Sequence, residues 1–193
     1  MQSYKWWKED FPNAEIKKAK SILHKFRTTD LNDNGLAINP YVGCQHRCIY
    51  CYATYEWAPD FYDKIYVKIN ADKILLKELP LYGSRIPVLI GSATDSYQPF
   101  EMKFRLTRKT IEVLQRYRVP YYIFTKSAAI LRDIDLHKRY RDKCYIVWSL
   151  TTIDEALKRK IEPYAASATK IFDAMKRMRK EGIICGSVSY THL

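Results

Sequence analysis

From Gly35 onward, short apolar runs alternate with stretches whose apolar residues recur every three or four positions. That is the rhythm of repeated βα units around a parallel sheet. The runs at 36–41, 87–91, 121–125, 145–150 and 183–188 are rich in Ile, Val, Leu and Tyr, which suit a buried pleated surface, and each predicts a strand. Between them, 71–79, 107–117, 129–140 and 167–181 carry helical spacing, as in Ile111 with Leu114 and Ile171 with Met175 and Met178. Ser167 or Thr169 is placed to cap the last helix, and Gly182 to end it in a left-handed turn.

The fold class is therefore α/β with a parallel sheet. Residues 1–34, with Trp6, Trp7 and a mixed Lys-rich helix, read as an N-terminal extension that packs on the barrel, leaving 35–193 as one domain. Five βα-type strands are too few for a parallel sheet that curves toward closure. The chain stops at SVSYTHL, in or just after the fifth strand, so the domain is expected to be incomplete at its C-terminal end.

Composition changes this picture little, since 47% apolar and 28% charged residues are ordinary for a globular chain of 193 residues. The N-terminus lacks the apolar core of a signal peptide, and no apolar run approaches the ~20 residues of a membrane span, so a soluble, cytoplasmic protein is expected. The net charge of +12, from 33 Lys and Arg against 21 acids, favours a polyanion such as nucleic acid. Much of the excess lies in 103–143 and 158–180, where a solvated helix face also accounts for it. No Gly-rich loop has P-loop or Rossmann spacing, which argues against nucleotide binding by those routes.

Chemistry enters at NPYVGCQHRCIYCYA, where Cys44, Cys48 and Cys51 follow the first predicted strand. Cysteines this crowded are no disulfide framework and suit a compartment where thiolates bind metal. Three local thiolates can occupy three corners of a [4Fe–4S] cluster and leave the fourth iron open to a non-protein ligand. Pro40 and Gly43 help the chain curl, and Tyr50 sets an aromatic ring beside the cysteines, where it could stack on a purine. Two other readings compete. Three core cysteines fit poorly in a polar Gln-His-Arg loop. A zinc site made of the three cysteines and His46 has the right ligand types, but His46 lies between two cysteines rather than at a usual fourth-ligand spacing. Joined to the positive charge and 14% aromatic content, such a zinc would make a non-catalytic nucleic-acid-binding module. Cys144 and Cys185 lie in strand runs and read as small apolar residues.

The CxxxCxxC spacing, with an aromatic before the third cysteine, resembles the radical S-adenosylmethionine (radical SAM) superfamily. Further matches are VKIN at 67–70, GSATDSYQPFE at 91–101, LTR at 106–108, TKS at 125–127, RDIDL at 132–136 and IEP at 161–163. Together they resemble the spore photoproduct lyase-like branch, also described as DNA repair photolyase-related, over nearly all of 36–182. The resemblance implies a partial (β/α)6 barrel, a cluster in the loop after the first strand, and S-adenosylmethionine chelating the open iron. It also implies an external reductant such as flavodoxin or ferredoxin, and a 5′-deoxyadenosyl radical that abstracts hydrogen from a substrate.

Ligands in parallel-sheet enzymes sit at the carboxyl ends of strands. Gly91, Ser92 and Thr94 are thus candidates to meet the methionyl amino group, with Asp95 as its charged partner. Lys126 is the candidate for the carboxylate, and Ser149 for carboxylate or ribose. Glu162, before Pro163, reads as a turn-orienting residue, and Asp133 and Asp135 as partners of nearby cations. The spore photoproduct lyases proper carry a hydrogen-donating cysteine near the end of strand two, which GSATDSYQP lacks. Tyr97 is the candidate relay in its place, against a plain packing role.

Overall fold

The parallel sheet predicted by the apolar runs is the spine of the computed structural model, which describes residues 12–27, 34–56, 60–83 and 86–189. In chain order the elements are β1 (Ala14–Lys17), β2 (Leu23–Arg27), β3 (Asn34–Ile38), β4 (Tyr41–Val42), α1 (Ala53–Glu56), β5 (Ile65–Lys68), α2 (Ala71–Glu78), β6 (Val88–Ile90), α3 (Glu101–Phe104), α4 (Leu106–Arg116), β7 (Tyr121–Thr125), α5 (Ile134–Arg139), β8 (Cys144–Ser149), α6 (Glu155–Ile161), α7 (Ala168–Lys180) and β9 (Ile184–Val188). The main sheet runs β2-β3-β6-β7-β8-β9 and is parallel from β3 onward. It remains an open sheet among the described residues, as expected for part of a (β/α)6-type barrel.

Register explains why these runs are so apolar. Ile38, Ile90, Ile123 and Ile146 lie side by side across four strands, as do Leu36, Val88, Tyr121 and Cys144, and all are buried with Leu75, Ile111, Leu114, Ile171 and Met178 of the helices. A buried parallel strand cannot show a polar face at these positions. The alternate positions, among them Leu89 and Phe124, line a cavity instead. The caps follow from local chemistry. The Ser167 hydroxyl accepts from Lys170 N–H at the start of α7, while Gly182, at φ +74°, lets Ile183 N–H reach the Met178 carbonyl at 3.1 Å.

The N-terminal part departs from expectation. Trp6, Trp7 and the rest of 1–11 lie outside the described residues, but 12–27 form strands rather than a Lys-rich helix. β1 pairs parallel with β5 and β2 antiparallel with β3. Ala14 and Leu23 supply the buried contacts, and the lysines between them stay toward water, so alternation prevails over helical propensity. β1, β5 and β4 make a second small sheet over Tyr41, Phe100, Phe104 and Leu106.

Under the sheet lies a buried ion network that accounts for GSATDSYQPFE, LTR and RDIDL. Glu101, fully buried, accepts from Tyr41 OH at 2.5 Å, Thr107 N–H at 2.9 Å and Arg132 Nη2 at 2.7 Å. Asp133, also buried, accepts from Arg132 Nη2 at 2.6 Å, Arg108 Nη1 at 2.9 Å and Tyr97 OH at 3.1 Å. Asp135 takes the other arm of Arg108, so both aspartates pair with cations as the sequence suggests. Burial pushes His137 down to about 4, so its neutral ring bridges the Tyr97 and Tyr121 hydroxyls at 3.2 and 3.1 Å. Removing one member of a buried pair strands the other charge. We expect Arg132→Met to lower unfolding free energy by about 3 kcal/mol, measured by urea denaturation; a loss near zero would show the network to be dispensable.

Candidate active site

The cysteine loop leaves β3 through Asn39 and Pro40, crosses β4 and turns at Gly43. Gly43 has φ +89°, and a Cβ there would meet the Phe61 and Lys64 carbonyls at 2.7 Å each, so only glycine fits. Polar side chains hold the loop. Thr94 Oγ1 donates to the Gly43 carbonyl at 2.6 Å. Gln98 accepts from Gln45 N–H at 3.0 Å, and Gln45 accepts from Phe100 N–H at 2.7 Å. Tyr62 OH donates to the Cys48 carbonyl. Cys51 N–H closes a turn onto the same carbonyl at 3.1 Å.

Cys44, Cys48 and Cys51 all line one cavity of about 650 Å³, with Tyr50, Gly91, Ser92, Thr94, Asp95, Lys126 and Ser149 on its wall. The loops after β3, β6, β7 and β8 thus converge, as the strand-end argument requires. Burial pushes the Cys44 thiol well above its usual range and Cys48 up to about 12. Lys126 pulls Cys48 down while Glu162 pushes it up, so both stand near this sulfur. Thiolates in such a site need a metal cation to exist, which suits an iron cluster. Among the described residues no three His, Cys, Asp or Glu side chains gather closely enough to hold a single ion. His46 is turned to Asp95 instead, Nδ1 to Oδ2 at 3.3 Å without hydrogen-bond alignment. One zinc asks for ligands converging on a point, whereas a cubane meets each thiolate at a separate iron.

Two candidate ligand contacts are committed elsewhere. The Thr94 hydroxyl spends its proton on Gly43. Asp95 accepts from Thr125 Oγ1 at 2.8 Å, Tyr97 N–H at 2.8 Å and Lys126 N–H at 2.6 Å. Burial would raise its pKa, but His46 and these donors hold the carboxyl below its usual range. Asp95 therefore ties β6 to β7 and is not a free partner for an amino group. Gly91, at φ +86°, turns the chain where a Cβ would meet the Thr94 carbonyl at 2.9 Å. Ser92 Oγ accepts from Asn39 Nδ2 at 2.9 Å, and its carbonyl accepts from Tyr52 OH at 2.6 Å. Tyr97, the candidate relay, does not reach the cavity. Its ring is 1% exposed and its hydroxyl points to Asp133 and His137, so it packs.

Glu162 is the residue whose importance the sequence understates. The residue is buried, and its carboxylate accepts from Lys126 Nζ at 2.8 Å, Thr151 Oγ1 at 2.6 Å, Tyr50 OH and Lys158 Nζ. Lys126 also donates to the Ser149 carbonyl at 3.1 Å, and lies 5.5 Å from the Tyr50 ring centroid. Tyr50 is thus held by its hydroxyl and faces a cation. Only the IEP match and the i, i+4 spacing of Lys158 and Glu162 hinted at this hub.

Burial would raise the Glu162 pKa, but Lys126 first, and Lys158 and Thr151 after it, bring it to about 2 from 4.5. A depressed carboxylate stabilises the fold above its unfolded pKa and loses that contribution as pH falls through its folded one. The stability gap between the native chain and Glu162→Gln is therefore expected to be constant above pH ~4.5 and to close toward pH ~2, followed by denaturation at stepped pH. A gap that does not change with pH would contradict this.

Residues 38–193 match the family model of the Radical SAM superfamily. An uncharacterized protein of Methanocaldococcus jannaschii is 34% identical over 150 residues, 76% of this chain and 56% of its own length. One from Mycobacterium tuberculosis H37Rv is 29% identical over 177 residues, 86% and 52%. Among solved structures, spore photoproduct lyase complexed with dinucleoside spore photoproduct superposes with a TM-score of 0.73 at 16% identity, covering 92% of this chain and 51% of that one. A mutant of that lyase with bound AdoMet and dinucleoside spore photoproduct gives 0.73 at 15% identity, 90% and 50%. The chain spans about half the length of these proteins.

Proposed function

The chain belongs to the radical SAM superfamily, and from that premise we propose that it holds a [4Fe–4S] cluster through Cys44, Cys48 and Cys51 and takes S-adenosylmethionine into the adjoining cavity. The observation that carries this reading is the convergence of three cysteines and the ends of β6, β7 and β8 on one cavity of about 650 Å³. Held by Cys44, Cys48 and Cys51 and reduced by a donor such as flavodoxin or ferredoxin, such a cluster would supply the one electron that cleaves S-adenosylmethionine into methionine and a hydrogen-abstracting 5′-deoxyadenosyl radical.

The chain's own residues bind and orient. Gly43, Thr94 and Gln98 fix the cysteine loop, so its thiolates are presented without reorganisation. Lys126 offers a cation for the ligand's carboxylate, and Ser149 and the Gly91–Ser92 turn offer polar groups along the wall. Leu89, Phe61 and Phe124 give that wall an apolar portion, which keeps water from a reactive centre. The excess of 33 Lys and Arg over 21 Asp and Glu supports a polyanionic substrate, nucleic acid being the class we propose. The 91–98 segment has no cysteine, which counts against the exact chemistry of spore photoproduct repair.

Anaerobic reconstitution with iron and sulfide is expected to give four-iron absorption and, on reduction, an EPR signal and 5′-deoxyadenosine from S-adenosylmethionine, all lost in Cys48→Ala. Stoichiometric zinc after anaerobic purification, with no cluster signal and a salt-sensitive affinity for nucleic acid, would instead establish the structural-zinc module.

A further inference from the structure

We infer that Lys158, which does not line the cavity, is a positioning residue that gives the site its selectivity for a carboxylate: it neutralises Glu162 from behind and so leaves Lys126 with a positive charge to offer.

A lysine ammonium is rarely withdrawn from water without a partner, yet the Lys158 side chain is 2% exposed and its partner Glu162 0%. The two carboxylate oxygens divide their work. Oε2 accepts from Lys158, while Oε1 accepts from Lys126, Tyr50 and Thr151 on the cavity side. The buried carboxylate on the cavity wall itself, Asp95, is taken up by Thr125, Tyr97 N–H and Lys126 N–H and faces His46.

Charge accounting then decides what Lys126 can do. With Glu162 alone, the Lys126 ammonium would be neutralised, and a ligand carboxylate would have to compete with a buried glutamate at 2.8 Å. With Lys158 present, two ammonium groups share one carboxylate and a single positive charge is left over. It is expressed where the wall is open, because the Lys126 side chain is 16% exposed against 2% for Lys158. The ammonium has three N–H donors. Glu162 and the Ser149 carbonyl use two, at 2.8 and 3.1 Å, while Thr151 at 3.4 Å is a weak claim on the third. One charge and one hydrogen are thus left for an anionic oxygen, and the matching ligand group is a single carboxylate.

A structural role and an electrostatic one predict different signs. If the triad only holds the loops, every substitution in it weakens binding. If charge is what matters, Lys158→Met weakens binding of a carboxylate ligand, Lys158→Arg restores it, and Glu162→Gln, which releases Lys126, strengthens it. Methionine keeps the length of the lysine stem, and Glu162 keeps Lys126, Thr151 and Tyr50 as donors to Oε1, so Lys158→Met is expected to be less stable, as Arg132→Met is, yet folded for the titration.

The inference rests on the S-adenosylmethionine site proposed above, and the experiment separates the two. Reconstituted native chain, Lys158→Met, Lys158→Arg and Glu162→Gln are titrated calorimetrically, without reductant, with S-adenosylmethionine and with its decarboxylated analogue. The affinity ratio of the two ligands is expected to fall on the order of tenfold in Lys158→Met, the scale of one screened unit charge. It should return in Lys158→Arg and rise in Glu162→Gln. Equal ratios in Lys158→Met and Lys158→Arg, or weaker S-adenosylmethionine binding in both Lys158→Met and Glu162→Gln, overturns the Lys158 inference alone. Failure of the native chain to bind either ligand overturns the site itself.

Discussion

Parallel register is the constraint on which the rest depends. Once β3, β6, β7, β8 and β9 pair in the same direction, every strand's carboxyl end falls on one side of the sheet. The loops that follow are then neighbours whatever their separation in sequence. Cys48 and Lys126, or Ser92 and Ser149, share a cavity wall for that reason. The apolar layers that enforce the register, such as Ile38, Ile90, Ile123 and Ile146, therefore position the chemistry without touching it.

Burying so much sheet leaves the polar residues between strands and helices with no water to turn to, and the molecule answers with carboxylates surrounded by donors. Glu101 and Asp133 share Arg132 under the sheet. Asp95 is satisfied by a hydroxyl and two main-chain N–H groups, and Glu162 by two ammonium groups and two hydroxyls. A buried carboxylate is costly unless every lone pair is met, and meeting them joins elements far apart in sequence. Glu101 links α3, α4 and the turn before α5, whereas Glu162 links the cysteine loop, β7, β8 and α6. The short motifs at 91–101, 106–108 and 132–136 are the visible ends of such ties.

This explains what the sequence disclosed. Most of the parallel strands were legible because a buried parallel strand reads as an apolar run, whereas β9 is half-buried or exposed throughout and showed itself by position; α7 was legible because its stripe of Ile171, Ala174 and Met178 has a cap at each end. The small strands were not. β1 and β5 are only four residues long and bury one or two of them, and the lysines that follow β1 make its segment easy to take for a helix. α6, with three basic residues in seven, carries no clear apolar stripe, although Asp154 caps it by accepting from Ala156 and Leu157 N–H. The cysteines and the strand-end residues were found by spacing and position. What position does not reveal is which side chain is already spoken for. Thr94, Asp95 and Tyr97 have the right chemistry for ligands, but their hydrogen bonds close within the protein.

The same ties make the cysteine loop and the cation on the cavity wall one mechanical unit. Tyr50, between the second and third cysteines, is bound to Glu162 and Thr151. Ile49 N–H donates to the Ile161 carbonyl at 3.0 Å, and Tyr164 N–H reaches the His46 carbonyl at 3.4 Å. The segment 161–164 thus runs against the cysteine loop, with Glu162 turned inward between these two contacts. A shift of the loop must move Glu162, and through it Lys126. Groups that face one cavity act on one ligand only if their relative placement survives thermal motion. Here it does so through main-chain bonds flanking one buried carboxylate, so the residues that fix the thiolates also aim the charge beside them.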